Sequence, residues 1–115
     1  MPLANLDIQK QPESTDTQLI LRLNGKLSLA AAAGFVDELR PVPTQVLLLD
    51  MSGVTFIDSA GIGALVQLFV HRRNTGQKFA LAALTPQGSA VMLFSGMARL
   101  LPIYETIAQA LAASS

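Results

Sequence analysis

Val46-Leu47-Leu48-Leu49 is the stretch that most narrows what this chain can fold into. Successive side chains of a strand point to opposite sides, so four apolar residues in a row need cover on both. A central strand in a parallel or mixed sheet, with helices on its faces, meets that need. Asp50 to Ser59 then reads as a polar loop with Gly53 inside it, and a helix is predicted to start near Ser59. Ile62, Leu65, Val66, Phe69 and Val70 recur at i, i+3, i+4, i+7 and i+8, the spacing of one apolar helix face. Asn74 to Gly76 ends that helix, and Phe79 to Leu84 reads as a second buried strand. Strand, helix and strand in this order make a right-handed crossover unit.

The rest of the chain supplies neighbours for this unit. Leu3 to Gln9 alternates, with Leu6 and Ile8 facing inward, and predicts a half-buried strand. Gln11 to Asp16 contains Pro12 and reads as a turn. Leu19, Leu21 and Leu23 form a second strand that pairs with the first as a hairpin. Asn24-Gly25 is expected to break it. Ser28 is then expected to cap a helix over Ala30 to Arg40 that buries Phe35, Val36 and Leu39, and that Pro41 and Pro43 end. Thr85-Pro86 is a cap-plus-first-turn pair for a third helix, which stops near Ser95-Gly96. Ile103-Tyr104 is a short edge strand, and Thr106 to Ala113 a last helix. The expected fold class is α/β: one domain over residues 1–115, with a mixed four- to five-stranded sheet flanked by about four helices.

Composition excludes several function classes. Half the residues are apolar and 14% are charged, which does not describe a disordered chain. The formal net charge is zero, so there is no long-range pull towards nucleic acid or an acidic membrane. The chain has no cysteine, which removes disulfides, thiolate catalysis and cysteine-ligated zinc. Met1 to Lys10 lacks the basic start and apolar run of a signal peptide. The longest apolar stretches fall far short of the ~20 residues that span a bilayer. A cytoplasmic protein is expected, with no direct nucleic-acid contact and no membrane insertion.

The chemistry concentrates between Asp50 and Gly63. Ser59 lies where the first helical turn leaves backbone N–H groups without intrahelical partners. Taken alone, a serine there is a plain helix cap. Gly61 and Gly63 are expected to keep the turn uncluttered, so that a partner's backbone or an anion can approach. The partial positive charge of a helix N-terminus would tolerate a phosphate on Ser59, which adds ~1.5–2 negative charges. Asp58 would repel that phosphate, and is expected instead to orient the hydroxyl or to bind a magnesium ion brought by a kinase. Hydrolase chemistry fits poorly. His71, the only histidine, stands twelve positions after Ser59 on the same helix, ~18 Å away. It reads as a solvated residue beside Arg72 and Arg73. Asp50 and Asp58 have no further ligand nearby and read as loop hydrogen-bonders. Gly61-x-Gly63 is too short for a nucleotide fingerprint. No catalytic residue, metal site or cofactor is expected. Met92 and Met97 could line an adaptable docking surface within an otherwise core-packing segment.

The same stretch resembles the signature of STAS domains, the family named for sulphate transporters and anti-sigma factor antagonists. The matching pattern is an apolar strand, Asp50-x-Ser52, then Val54-x-Phe56-Ile57-Asp58-Ser59-x-Gly61-Ile62-Gly63-x-Leu65. It extends to the opening strand pair, Gly25-x-Leu27, Gly76, Thr85-Pro86 and Ser95-Gly96-Met97. The resemblance implies a single STAS-like domain and a non-enzymatic bacterial switch in transcription regulation. In such antagonists a serine at the start of the second helix is phosphorylated by an anti-sigma factor that is itself a serine kinase. The unphosphorylated antagonist binds that kinase and frees the sigma factor, and a serine phosphatase resets the switch. Ser59 matches the phosphorylated serine and Asp58 the acidic residue before it. The implied partner-binding surface is Ser52, Thr55, Asp58, Ser59, Ala60, Gly61, Ile62 and Gly63, supported by Asp50 and Ser28. Family members commonly carry an acidic residue where the first helix begins; here Lys26 and Ser28 stand in that region. The alternative within the family is a non-catalytic subunit of a membrane lipid or anion transport assembly.

Overall fold

A computed structural model describes residues 3–114; Met1, Pro2 and Ser115, the outermost positions of the expected 1–115 domain, lie outside the described residues. The elements in chain order are β1 (Leu6–Lys10), β2 (Gln18–Leu27), α1 (Leu29–Leu39), β3 (Val46–Ile57), α2 (Ser59–Asn74), β4 (Lys78–Ala82), α3 (Pro86–Phe94), a 3-10 turn (Met97–Arg99), β5 (Ile103–Tyr104) and α4 (Ile107–Ser114). The five strands form one mixed sheet in the order β1-β2-β3-β4-β5. β1 pairs antiparallel with β2, and every other pair is parallel.

The apolar run does what its composition requires. Leu47 and Leu49 face the larger core with Phe35, Leu65, Leu68 and Met92, while Val46 and Leu48 face a smaller one with Ile20, Ala80 and Ala110. Both faces are therefore dry, the larger covered by α1, α2 and α3 and the smaller by α4. All four residues are at most 3% exposed. Burying a leucine side chain contributes about 1.5–3 kcal/mol, so this run is a main source of stability.

Both strands flanking α1 are longer than their sequence suggests. Asn24-Gly25 does not break β2, which continues to Leu27. Gly25 has φ +113°, and a Cβ there would lie 2.2 Å from the Asn5 carbonyl oxygen. That oxygen accepts the Lys26 N–H at 2.7 Å. The glycine thus serves a close approach of the chain before β1 and does not end the strand.

Asp50 to Ile57 is not a loop either; it is the second half of β3, paired with β2 alone once β4 ends opposite Asp50. From Asp50 to Gly53 β3 advances three positions while β2 advances two, from Arg22 to Asn24; from Val54 to Phe56 it advances two while β2 advances one, from Gly25 to Lys26. These are bulges, which bend and twist a strand. A side chain steadies each. Asp50 Oδ1 accepts the Ser52 N–H at 3.0 Å, and the Thr55 hydroxyl donates to the Gly25 carbonyl at 3.2 Å. The bulges blur the alternation, which is why these polar residues read as a loop. In place of β4, Gln87 of α3 bonds both backbone groups of Ile57, accepting from its N–H and donating to its carbonyl, each at 3.0 Å.

The buried face of α2 is Ile62, Leu65, Leu68 and Arg72, with Gly61 and Ala64. Val66, Phe69 and Val70 are only partly buried. Between Ala60 and Val70 the helix is apolar on most sides, so periodicity could not choose a face; packing against α1 and the sheet did. Arg72 is 1% exposed, and His71, read from the sequence as solvated, is half-buried beside it. Arg72 Nε donates to the Lys78 carbonyl (2.8 Å), Nη1 to Val42 (3.2 Å) and Nη2 to Thr44 (2.6 Å). One guanidinium fork thereby ties the α1–β3 connection to the start of β4. Desolvation by burial lowers its pKa from the ordinary guanidinium value.

The third helix starts as predicted. Thr85 accepts the Gly88 N–H at 3.2 Å, and Pro86 occupies the first turn. Met92, however, is buried in the larger core and is not part of a docking surface. The exposed apolar residues of α3 are Leu93 (70%) and Phe94 (87%).

Candidate functional site

β2 and β3 run parallel and stop level with each other, at the pair Leu27 and Ile57. Each is followed by one residue and then a helix, so α1 and α2 begin side by side at the carboxyl ends of the strands. In open α/β sheets, binding sites form at such ends. Two helix N-termini placed together present several unpaired N–H groups and two partial positive charges.

Asp58 answers both. Its Oδ1 accepts the Gly61 N–H at 2.9 Å and caps α2, and its Oδ2 accepts the Leu29 N–H at 3.0 Å, at the start of α1. Two expectations change as a result. Ser28 stands at the N-cap position of α1, but its side chain makes no cap bond; a carboxylate from 30 residues further on takes that place. Ser59 is not a cap either. It is the first residue of α2, exposed, and its hydroxyl makes no hydrogen bond. Nor does Asp58 orient that hydroxyl: its oxygens hold the Gly61 and Leu29 N–H groups, and no hydrogen bond joins it to the Ser59 side chain.

The two glycines of the turn separate. A Cβ on Gly61 would lie 2.1 Å from the Leu27 carbonyl oxygen, so this glycine lets α2 lie against the end of β2. Gly63 has nothing within 4 Å and leaves the outer side of the turn open, as its sequence position suggested.

The structure thus brings together Ser28, Asp58, Ser59, Ala60 and Gly63 around paired helix starts. Ser59 is exposed, and Ser28, Asp58, Ala60 and Gly63 are half-buried. Gly61 and Ile62 lie beneath, buried. Ser52 and Thr55 are exposed on the bulged tail of β3, with Asp50 half-buried behind Ser52. Two residues escaped the sequence reading. Leu29 is 76% exposed beside Asp58, and Phe56 is 42% exposed two residues before it. Together they give the polar turn an apolar border. Gln87 also escaped, since nothing local links it to a strand end 30 residues away. Among the described residues there is no group of three or more His, Cys, Asp and Glu that could hold a metal ion. No helix among them is long and apolar enough to cross a membrane.

A family model described as the STAS domain matches residues 6–110. The fold is similar to several solved structures. One, from Thermotoga maritima and provisionally named an anti-sigma factor antagonist, is 25% identical with a TM-score of 0.83, covering 93% of each chain. The Bacillus cell fate determinant SpoIIAA in its phosphorylated form is 18% identical, with a TM-score of 0.70 over 95% of this chain and all of that one. Murine Slc26a9, an anion transporter, is 20% identical with a TM-score of 0.77; the match covers 96% of this chain but 22% of the transporter.

Proposed function

The chain belongs to the STAS domain family, and from that premise we propose that it is a cytoplasmic anti-sigma factor antagonist, a non-catalytic switch controlled by phosphorylation of Ser59. Unphosphorylated, it binds an anti-sigma serine kinase. Phosphorylated on Ser59, it releases that kinase, and a serine phosphatase restores the binding form.

The observation that carries this reading is the division of labour between Asp58 and Ser59. A capping serine would have its oxygen in use. Here the neighbouring carboxylate takes both caps, and the Ser59 hydroxyl stands free on the surface. A kinase can reach it without opening the helix. The likeness to SpoIIAA, which has a phosphorylated form, supports the same reading.

The physics of the switch follows from the surroundings. The docking surface combines Ser59, Ser52, Thr55, Ala60 and Gly63 with the apolar border of Leu29 and Phe56. A phosphate adds ~1.5–2 negative charges at its centre. The α2 N-terminus offsets part of that charge within the protein, while Asp58 adds to it. Against an apolar or acidic partner surface, the phosphate has to be desolvated without a counter-charge. Every 1.4 kcal/mol of that penalty is a tenfold loss of affinity, so about 3 kcal/mol makes a switch of roughly a hundredfold.

The test is intact mass and peptide mapping of the chain purified from its native host, under growth and under stress. One phosphate on Ser59, absent in Ser59→Ala, is expected. Binding to the anti-sigma kinase encoded nearby should survive Ser59→Ala and weaken by roughly a hundredfold in Ser59→Glu. A chain never phosphorylated, in a neighbourhood of transporter genes, would instead support a subunit of a membrane transport assembly, the setting in which Slc26a9 carries the same fold.

A further inference from the structure

At the opposite end of α2 from Ser59, a cavity of about 300 Å³ opens at the foot of β4. Its walls are apolar and aromatic, chiefly Phe69, Phe79, Pro102 and Tyr104, and its charged lining residues are Arg73 and Lys78. No carboxylate among the described residues lines it.

Three features of this cavity point to one kind of occupant. The first is positive charge that no described carboxylate offsets. Arg73 lies over the Phe69 ring at 5.3 Å, and Lys78 Nζ reaches only the Ser114 carbonyl, at 3.5 Å. Neither cation has a carboxylate partner among the described residues. The second is an uncovered backbone edge. Leu81 N–H bonds the Pro102 carbonyl and Ala83 N–H the Tyr104 carbonyl, so odd-numbered residues of β4 direct their backbone groups towards β5. Phe79, two residues earlier, directs its own the same way, beyond the start of β5, where no strand meets it. A backbone donor of this kind needs an acceptor. The third is an aromatic lining. Phe69 and Phe79 pack at a ring-centroid distance of 6.4 Å, tilted by 50°, and offer a flat apolar wall.

We propose that this cavity is a binding site for a small amphipathic anion, a carboxylate or sulfonate on an aromatic or short acyl body. The body lies against Phe69, Phe79 and Tyr104. The anionic head takes charge-assisted hydrogen bonds from Arg73 and Lys78 and faces the Phe79 N–H. The volume is at the small end of ligand sites, which fits a compact occupant. The site stands about 24 Å from Ser59, the length of the 16-residue α2. It does not depend on the phosphorylation reading.

The experiment is a titration of the isotope-labelled full chain with 2-naphthoate, followed by amide NMR. Saturable shifts confined to Phe69, Arg73, Lys78, Phe79 and Tyr104 are expected at millimolar ligand or below. The neutral 2-naphthamide and inorganic phosphate should each bind at least about tenfold more weakly, since each lacks one half of the recognition. Arg73→Gln with Lys78→Gln should cost about the same factor. Both side chains are exposed, and the undisturbed spectrum of the variant will show that it is folded. The proposal is overturned if no saturable shift occurs, if naphthamide binds as tightly as naphthoate, if the double variant is unaffected, or if the shifts gather instead at Leu93 and Phe94, the most exposed apolar pair.

Discussion

The two ends of α2 solve one problem with opposite charges. At the first, Asp58 gathers backbone N–H groups from two helix starts; at the second, Arg72 gathers carbonyls from the α1–β3 loop and the start of β4. The signs agree with the helix dipole, which favours an anion at its N-terminus and a cation at its C-terminus. What separates the ends is solvent. Arg72 is buried, and its bonds cannot be exchanged for water. Asp58 is half-buried at the surface, beside the exposed hydroxyl of Ser59. A buried clamp fixes the scaffold; an exposed one leaves room for a neighbour to be altered.

The largest expected effect lies at the buried end. Arg72→Ala strands three carbonyls and should cost about 3–4 kcal/mol in urea unfolding. Arg72→Lys should recover little of that, because one ammonium cannot serve three carbonyls spread around a planar fork. Full stability in the lysine variant would break the comparison, since charge alone would then suffice.

Next come the glycines of the exposed end. Gly61→Ala drives a methyl into the Leu27 carbonyl and should destabilise by about 2–3 kcal/mol. Gly63→Ala meets open space and should stabilise by about 0.5–1 kcal/mol. The opposite signs, read from denaturation midpoints, sharpen the assignment of one glycine to packing and the other to the surface.

Asp58→Ala removes two caps at a solvated position and should cost about 1–2 kcal/mol, less than Arg72→Ala. Asp58→Asn keeps one good acceptor and should fall roughly midway. A loss from Asp58→Ala as large as that from Arg72→Ala would erase the contrast between the ends.

The smallest effects belong to the serines. Ser59→Ala and Ser28→Ala should each change stability by less than about 0.5 kcal/mol, because neither side chain caps a helix. A cost near 1 kcal/mol for Ser59→Ala would return that hydroxyl to a structural duty.

Residues within a few positions of each other were legible. Val46 to Leu49 announced a strand covered on both faces, Thr85-Pro86 announced a helix start, and Asp58-Ser59-x-Gly61 marked the start of α2, where the candidate site is placed. The errors share one cause. Ser28 reads as a cap because local rules allow it, yet Asp58 reaches Leu29 first. Asp50 to Ile57 reads as a loop because two bulges spoil its alternation. Gln87 goes unread because the strand end it serves lies 30 residues away.

The sequence by itself determined the element order, the buried central strand and the position of Ser59 at a helix start. These rest on hydrophobic periodicity and turn chemistry, which act between near neighbours. Only the tertiary structure decided who caps whom, which face of α2 is buried, and that Ser59 is free. Those outcomes depend on β2 and β3 ending level with each other. That register places Leu29 and Gly61, far apart in the chain, within reach of a single carboxylate.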